Sequence, residues 1–91
     1  MLYPTETEAK YRLEMERERQ AMKWGVQMHD NGTFSMILSE EVGELNEACL
    51  QEFQNGELTE EILRKQIDEA VQVSAVALAW AARLMMKKAG M

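Results

Sequence analysis

Two acidic clusters, Glu40-Glu41-Val42-Gly43-Glu44 and Asp68-Glu69-Ala70-Val71-Gln72, carry the chemistry of this chain, with 24 residues between Glu44 and Glu69. On an α-helix, residues three apart share a face, so Glu41 and Glu44 point at one spot, and a facing helix brings Glu69 and Gln72 to it. Three carboxylates and one amide from two helices make an oxygen-lined cage. Such a cage suits a hard divalent ion, Mg²⁺ or Mn²⁺, rather than zinc, and makes Glu41, Glu44, Glu69 and Gln72 the metal-ligand candidates.

The elements that must hold this cage are helices. Pro4 is the only proline, no stretch alternates as a strand would, and no repeat is visible. A first helix is expected from Thr5 to about Trp24, with Thr5 and Glu8 spaced as a capping box and Glu8 and Arg12 as a surface pair. Its charged run from Arg12 to Gln20 reads as a solvated face. Gly25 to Thr33 reads as a loop, with turn chemistry in Asp30-Asn31-Gly32-Thr33. The second helix should run from about Phe34 to Gln54, capped by Thr33 or Ser35, and bury Ile37, Leu38, Val42, Leu45, Ala48 and Cys49. Asn55-Gly56 is a stop signal, Thr59 is a cap, and Leu58 and Leu63 have staple spacing for a third helix from about Glu60 to Lys88.

From Ala70 to Met86 that third helix is apolar nearly all round, interrupted only by Gln72, Ser74 and Arg83. An all-round apolar helix must be surrounded, and two companions in so short a chain do not suffice. A homodimer or homotetramer is therefore expected, with the alanines allowing close helix approach. A membrane span is the competing reading, disfavoured by the alanine content, Arg83 and a length marginal against the ~20 residues needed. The methionines, among them Met15, Met22, Met28 and Met36, are expected to fill core gaps, as is Trp80 or an interface.

Composition narrows the class. A length of 91 residues fits a single domain, 1–91, too small to be comfortable alone. Cys49 is the lone cysteine, which excludes an internal disulfide, fits a reducing cytoplasm and suggests a buried, inert thiol. No secretory leader is legible in the first residues. A net charge of −6 argues against wrapping a nucleic-acid polymer, whereas a phosphorylated small ligand would need cations as bridges. No P-loop and no Cys/His metal spacing is present. Lys23, Trp24, Gln27, His29 and Asn31 bring a cation, a stacking surface and hydrogen-bonding groups into one short stretch, although Trp24 would serve equally as a packing anchor.

The segment Ser39-Glu40-Glu41-Val42-Gly43-Glu44-Leu45-Asn46-Glu47-Ala48, followed by Asp68-Glu69-Ala70-Val71-Gln72-Val73, resembles the MazG-like all-α nucleoside triphosphate pyrophosphohydrolases. That family carries E-x-x-E on one helix and E-x-x-D on the next. Glu41 and Glu44 match the first motif and Glu69 opens the second, while Gln72 stands where the family has aspartate. The resemblance spans about residues 20 to 85. It implies a three-helix chain in an oligomeric bundle of the all-α NTP pyrophosphatase type. The implied reaction is Mg²⁺-dependent hydrolysis of an NTP or dNTP to the monophosphate and pyrophosphate, in a house-cleaning role. It further implies catalytic roles for Glu40, Glu41, Glu44 and Glu69, with Glu40 or Glu47 activating the water. Lys23 would meet a phosphate and Trp24 a base, with Gln27, His29 and Asn31 alongside. An amide at position 72 ligates Mg²⁺ without contributing charge, so a second ion would be held more weakly. The alternative is a non-catalytic oligomerisation or nucleotide-sensing module that lost turnover through Gln72. If Glu41 or Glu44 were paired with Lys23, Arg64, Lys65 or Arg83 and no cavity lay beside them, the acids would be solubilising charge.

Overall fold

The computed structural model describes residues 1–26 and 28–91. It is all-α, with α1 (Glu6–Trp24), α2 (Asn31–Asn55) and α3 (Glu60–Lys88), and no strand among the described residues. The α2–α3 junction follows local rules. Gly56 takes the left-handed conformation at φ 78°, which costs glycine little, and Thr59 Oγ1 accepts from Ile62 N at 3.1 Å. The short connection makes α2 and α3 antiparallel. Gln66 Nε2 donates to Glu52 Oε1 at one end of the pair, and Trp80 Nε1 donates to Asn31 Oδ1 at the other, both at 2.9 Å.

Two helix starts differ from expectation. Thr5 precedes α1 but its side chain caps nothing: at φ −94°, ψ 4° it lacks the extended geometry that aims a cap oxygen at the first free amides. The Glu8–Arg12 pair does form, at 3.3 Å. The second helix begins at Asn31 and is capped by Asp30, not by Thr33 or Ser35; Asp30 Oδ1 accepts from Thr33 N at 2.8 Å. An ionised carboxylate is a stronger acceptor than a hydroxyl, so the helix takes in Asn31, Gly32 and Thr33.

α3 is the centre of the molecule. Both α1 and α2 pack on it and make no close backbone approach to each other. The core is accordingly thin: among the described residues it holds Phe34, Ala48, Ala75, Val76 and Ala79, with Phe34 the only large side chain that is fully buried. Since α1 does not cover α2, the expected α2 stripe is only partly sheltered. Ala48 is buried and Ile37, Leu38 and Leu45 are half-buried, but Val42 and Cys49 are exposed. Cys49 is therefore not the buried thiol its sequence neighbours suggest. The methionines are corrected likewise, because Met15, Met22, Met28 and Met36 are all exposed in the single chain.

The same arrangement leaves α3 uncovered. Only 22% of its most apolar 18-residue window is buried, and by length and composition alone the helix could cross a membrane. The radius of gyration is 15.0 Å, against about 12 Å for a compact chain of this length. The accessible surface of 6953 Å² exceeds by about 1,500 Å² the value typical of a folded monomer of this mass.

Candidate functional site

Helical spacing puts Glu41 and Glu44 one turn apart on α2, and antiparallel pairing lays Glu69 of α3 against them. One carboxylate oxygen from each lies within 4.8 Å of the other two. Glu69 is buried at 4% exposure, Glu41 is half-buried, and Glu44 is at the exposed rim. Three carboxylates this close repel one another. Burial, followed by the charges of Glu44 and Glu69, pushes the Glu41 carboxyl above its ordinary range. A hydrogen bond shared with Glu69, and then its charge, pushes Glu44 up as well.

One cation answers this charge. Lys65 Nζ lies 3.0 Å from Glu69 Oε1, one turn away on the same helix, and the bond raises the lysine's pKa. Glu41 and Glu44 form no ion pair among the described residues. The second oxygens of Glu41 and Glu69 are buried without a hydrogen-bond partner among the described residues. Desolvated carboxylate oxygens left unpaired are costly, and a cation among them removes that cost. The all-oxygen donor set fits a hard divalent ion.

Beside the cluster opens a cleft of about 480 Å³, present because α1 and α2 lean on α3 without closing on each other. Arg19, Gln20 and Trp24 of α1, Val26, Met28 and His29 of the connection, Ile37 and Glu41 of α2, and Gln72 and Val76 of α3 line it. Gln72 and Glu41 thus line the same cleft. Trp24 is half-exposed, with Lys23 Nζ 4.9 Å and the Arg19 guanidinium 5.7 Å from its ring centroid. His29 packs edge-on against Phe34 at 5.2 Å, and Phe34 stacks on Trp80 at 5.9 Å.

The sequence candidates therefore divide. Glu41, Glu44 and Glu69 converge, and Trp24, His29 and Gln72 line the adjoining cleft. Lys23 sits over Trp24. Glu40 is exposed, its charge felt by Glu44. Asn31 serves the fold, accepting the Trp80 indole bond, and is not among the lining residues. Gln27 lies outside the described residues.

Two residues of the charged run in α1, expected on a solvated face, are not on one. The Glu16 side chain is nearly covered, bound to Arg19 at 2.7 Å, and its charge helps raise Glu41. Gln20 is 6% exposed and lines the cleft. A signal existed: Leu13, Glu16 and Gln20 fall on one helical face, in phase with a residue that packs inward. Comparison with protein-family models, with curated proteins and with solved structures gives no match to this chain.

Proposed function

We propose that the chain is a Mg²⁺-dependent nucleoside triphosphate pyrophosphohydrolase, cleaving an NTP or dNTP to the monophosphate and pyrophosphate in a cytoplasmic house-cleaning role. The observation that carries this reading is the three-carboxylate cluster with two buried, unpartnered oxygens beside a nucleoside-sized cleft. The resemblance of Ser39–Ala48 and Asp68–Val73 to the MazG-like enzymes, carried by these same glutamates, agrees with it.

Glu41, Glu44 and Glu69 would hold the ion, with Gln72 contributing a neutral oxygen. A bound Mg²⁺ or Mn²⁺ supplies neutralisation of the triphosphate and acidification of a water molecule. The chain's own groups do the rest. Trp24 offers a face to the base, and Arg19 and Lys23 set positive charge at that end of the cleft. Lys65, now neutralising Glu69, has a substrate phosphate as its alternative partner. Glu40, exposed beside the cluster, takes the proton of the water that attacks the α-phosphorus, as the bond from that phosphorus to the bridging oxygen breaks and pyrophosphate leaves.

Pyrophosphate release from a panel of NTPs and dNTPs tests the reading. Release should require Mg²⁺ or Mn²⁺, vanish in EDTA, and rise in Gln72→Asp, which adds a charged oxygen to the cleft that Glu41 also lines. Silence of the wild type with a gain in Gln72→Asp would instead favour a nucleotide-sensing module.

The working unit is a homodimer or homotetramer, with the open face of α3 against a second copy. The surplus surface of about 1,500 Å² exceeds the ~800 Å² that each partner contributes to a standard interface. Light scattering on the eluting protein should give two or four times 10.5 kDa at micromolar concentration. A mass of one chain would remove this part of the proposal.

A further inference from the structure

Along α3, Ile67, Ala70, Ser74, Ala77, Ala81 and Leu84 alternate at spacings of three and four. All six are exposed in the single chain, and none is charged. A repeat averaging 3.5 residues keeps one stripe turned toward a second helix running alongside, so it marks a seam between helices. Neither α1 nor α2 is that second helix, since the six residues stay exposed with both in place. Ser74 is the only polar member. Its hydroxyl donates to Ala70 O at 2.8 Å, so it needs no partner across the seam.

We infer that this face is covered by α3 of a second copy, running antiparallel in one register: Ile67 against Leu84, Ala70 against Ala81 and Ser74 against Ala77, each pair formed twice about a twofold axis. This rests on the second-copy reading of the open α3 face proposed above and adds its orientation and pairing. Side-chain size sets the register. The four small residues let the helix axes approach to about 8 Å, and a large pair closes the seam at each end. Sliding by one heptad would set Leu84 against Glu60 in one direction and Ala70 against Lys88 in the other, a charged side chain in an apolar seam either way. Charge sets the orientation. Glu60 and Glu61 open α3, and Lys87 and Lys88 close it. Antiparallel packing lays each acidic turn beside the other copy's basic turn and opposes the two macrodipoles, whereas parallel packing would set acids on acids and lysines on lysines. Arg64 and Lys65, the bases near the acidic end, are already turned to Glu60 and Glu69. The flank of the seam agrees. Between α1 and α3 lies a groove of about 340 Å³ whose walls include Leu13, Ala70 and Val71. In this register Leu78 of the second copy, exposed in the single chain, comes level with Val71 and enters that groove.

Cysteine pairs read the register directly. In a Cys49→Ser chain, which removes the one exposed native thiol, the double variant Ala70→Cys/Ala81→Cys should give a disulfide-linked dimer under oxidised glutathione. Either substitution alone should give none. The two cysteines of one chain lie about 16 Å apart at 1.5 Å per residue, too far to pair internally. Ala77→Trp, a wedge at the closest approach, should halve the mass of the assembly in light scattering; if it does not melt cooperatively, the cysteine result decides. Cross-linking by each single-cysteine chain would mean parallel helices and overturn the orientation. An assembly of two or four chains in which the double variant forms no cross-link would overturn the pairing and leave the second-copy reading intact. A mass of one chain at micromolar concentration would overturn both. So would a wild type of one-chain mass that sediments with phosphatidylcholine vesicles, which would assign the face to lipid.

Discussion

Glu41→Gln should raise the melting temperature of the metal-free protein while reducing pyrophosphate release at least a hundredfold. The two effects have one cause. The Glu41 carboxylate is partly desolvated and faces Glu44 and Glu69, with a buried oxygen that has no partner among the described residues. Removing its charge relieves repulsion. After discounting for solvent screening the gain is about 0.5–1 kcal/mol, or about 3–6 °C for a domain of this size. The same charge is what a divalent ion requires. Loss of groups that merely support a metal ligand costs 10–100-fold in affinity or activity, so loss of a ligand should cost at least roughly 100-fold. In the wild type, Mg²⁺ at ten times its dissociation constant should add about 1.4 kcal/mol of stability, and in Glu41→Gln almost none.

The pH dependence has a definite sign. Glu41 and Glu44 are raised in the folded chain, so between the unfolded and folded values the native state binds more protons than the unfolded state. Stability of the metal-free protein should therefore fall as pH rises through the folded-state values, and be recovered on acidification toward the ordinary glutamate range. The increment from Mg²⁺ should move oppositely, shrinking as pH falls and the ligands take up protons. Melting scans with Mg²⁺ and with EDTA, across mildly acidic to neutral pH, check both slopes. A metal-free protein least stable at the acidic end of that range, or destabilised by Glu41→Gln, would mean that the carboxylates are satisfied by other partners.

Phe34→Ala should be the most damaging single change to the fold. Phe34 is 1% exposed and is the only large side chain fully buried among the described residues. It lies flat on Trp80, their planes 7° apart, and receives the edge of His29. A phenylalanine truncated in such a place costs about 3–5 kcal/mol, against a total of about 5–13 kcal/mol for 91 residues at the usual stability per residue. The melting temperature should drop by about 20 °C. The damage extends to the cleft, because the connection carrying Met28 and His29 rests on this ring. Nucleotide affinity should therefore fall even below the melting range. A drop of only a few degrees in a thermal melt would show that the α3 alanines, not Phe34, carry the packing.

Much of this molecule is local and was legible in the chain. The ends of α3 and the stop of α2 depend on Thr59, Asn55-Gly56 and a nearby run of helix formers, all of which act within one or two turns. The convergence of Glu41, Glu44 and Glu69 was legible for a related reason, since helical spacing fixes two of them and a short connection lays the third opposite. The start of α2 was misread because an Asp and a Thr compete for one set of amides, and their order in strength is decided by the geometry each attains.

How three helices share one contact surface is a long-range outcome that no local pattern encodes. Periodicity identifies an apolar face but not how much of it a neighbour covers. The exposure of Cys49 and of Met36 follows from α1 leaning on α3 and leaving α2 open. The same choice turns Glu16 and Gln20 inward, makes the cleft, and takes Asn31 out of it to satisfy the Trp80 indole. These outcomes depend on contacts between residues far apart in sequence, whose energies are set by burial and by which polar groups find partners. Three helices and a cluster of acids are legible in the residues alone, because hydrogen bonds and side-chain spacing along a helix are local. The residues alone leave open the cleft beside that cluster, because a cavity is the space remaining after all long-range packing is settled.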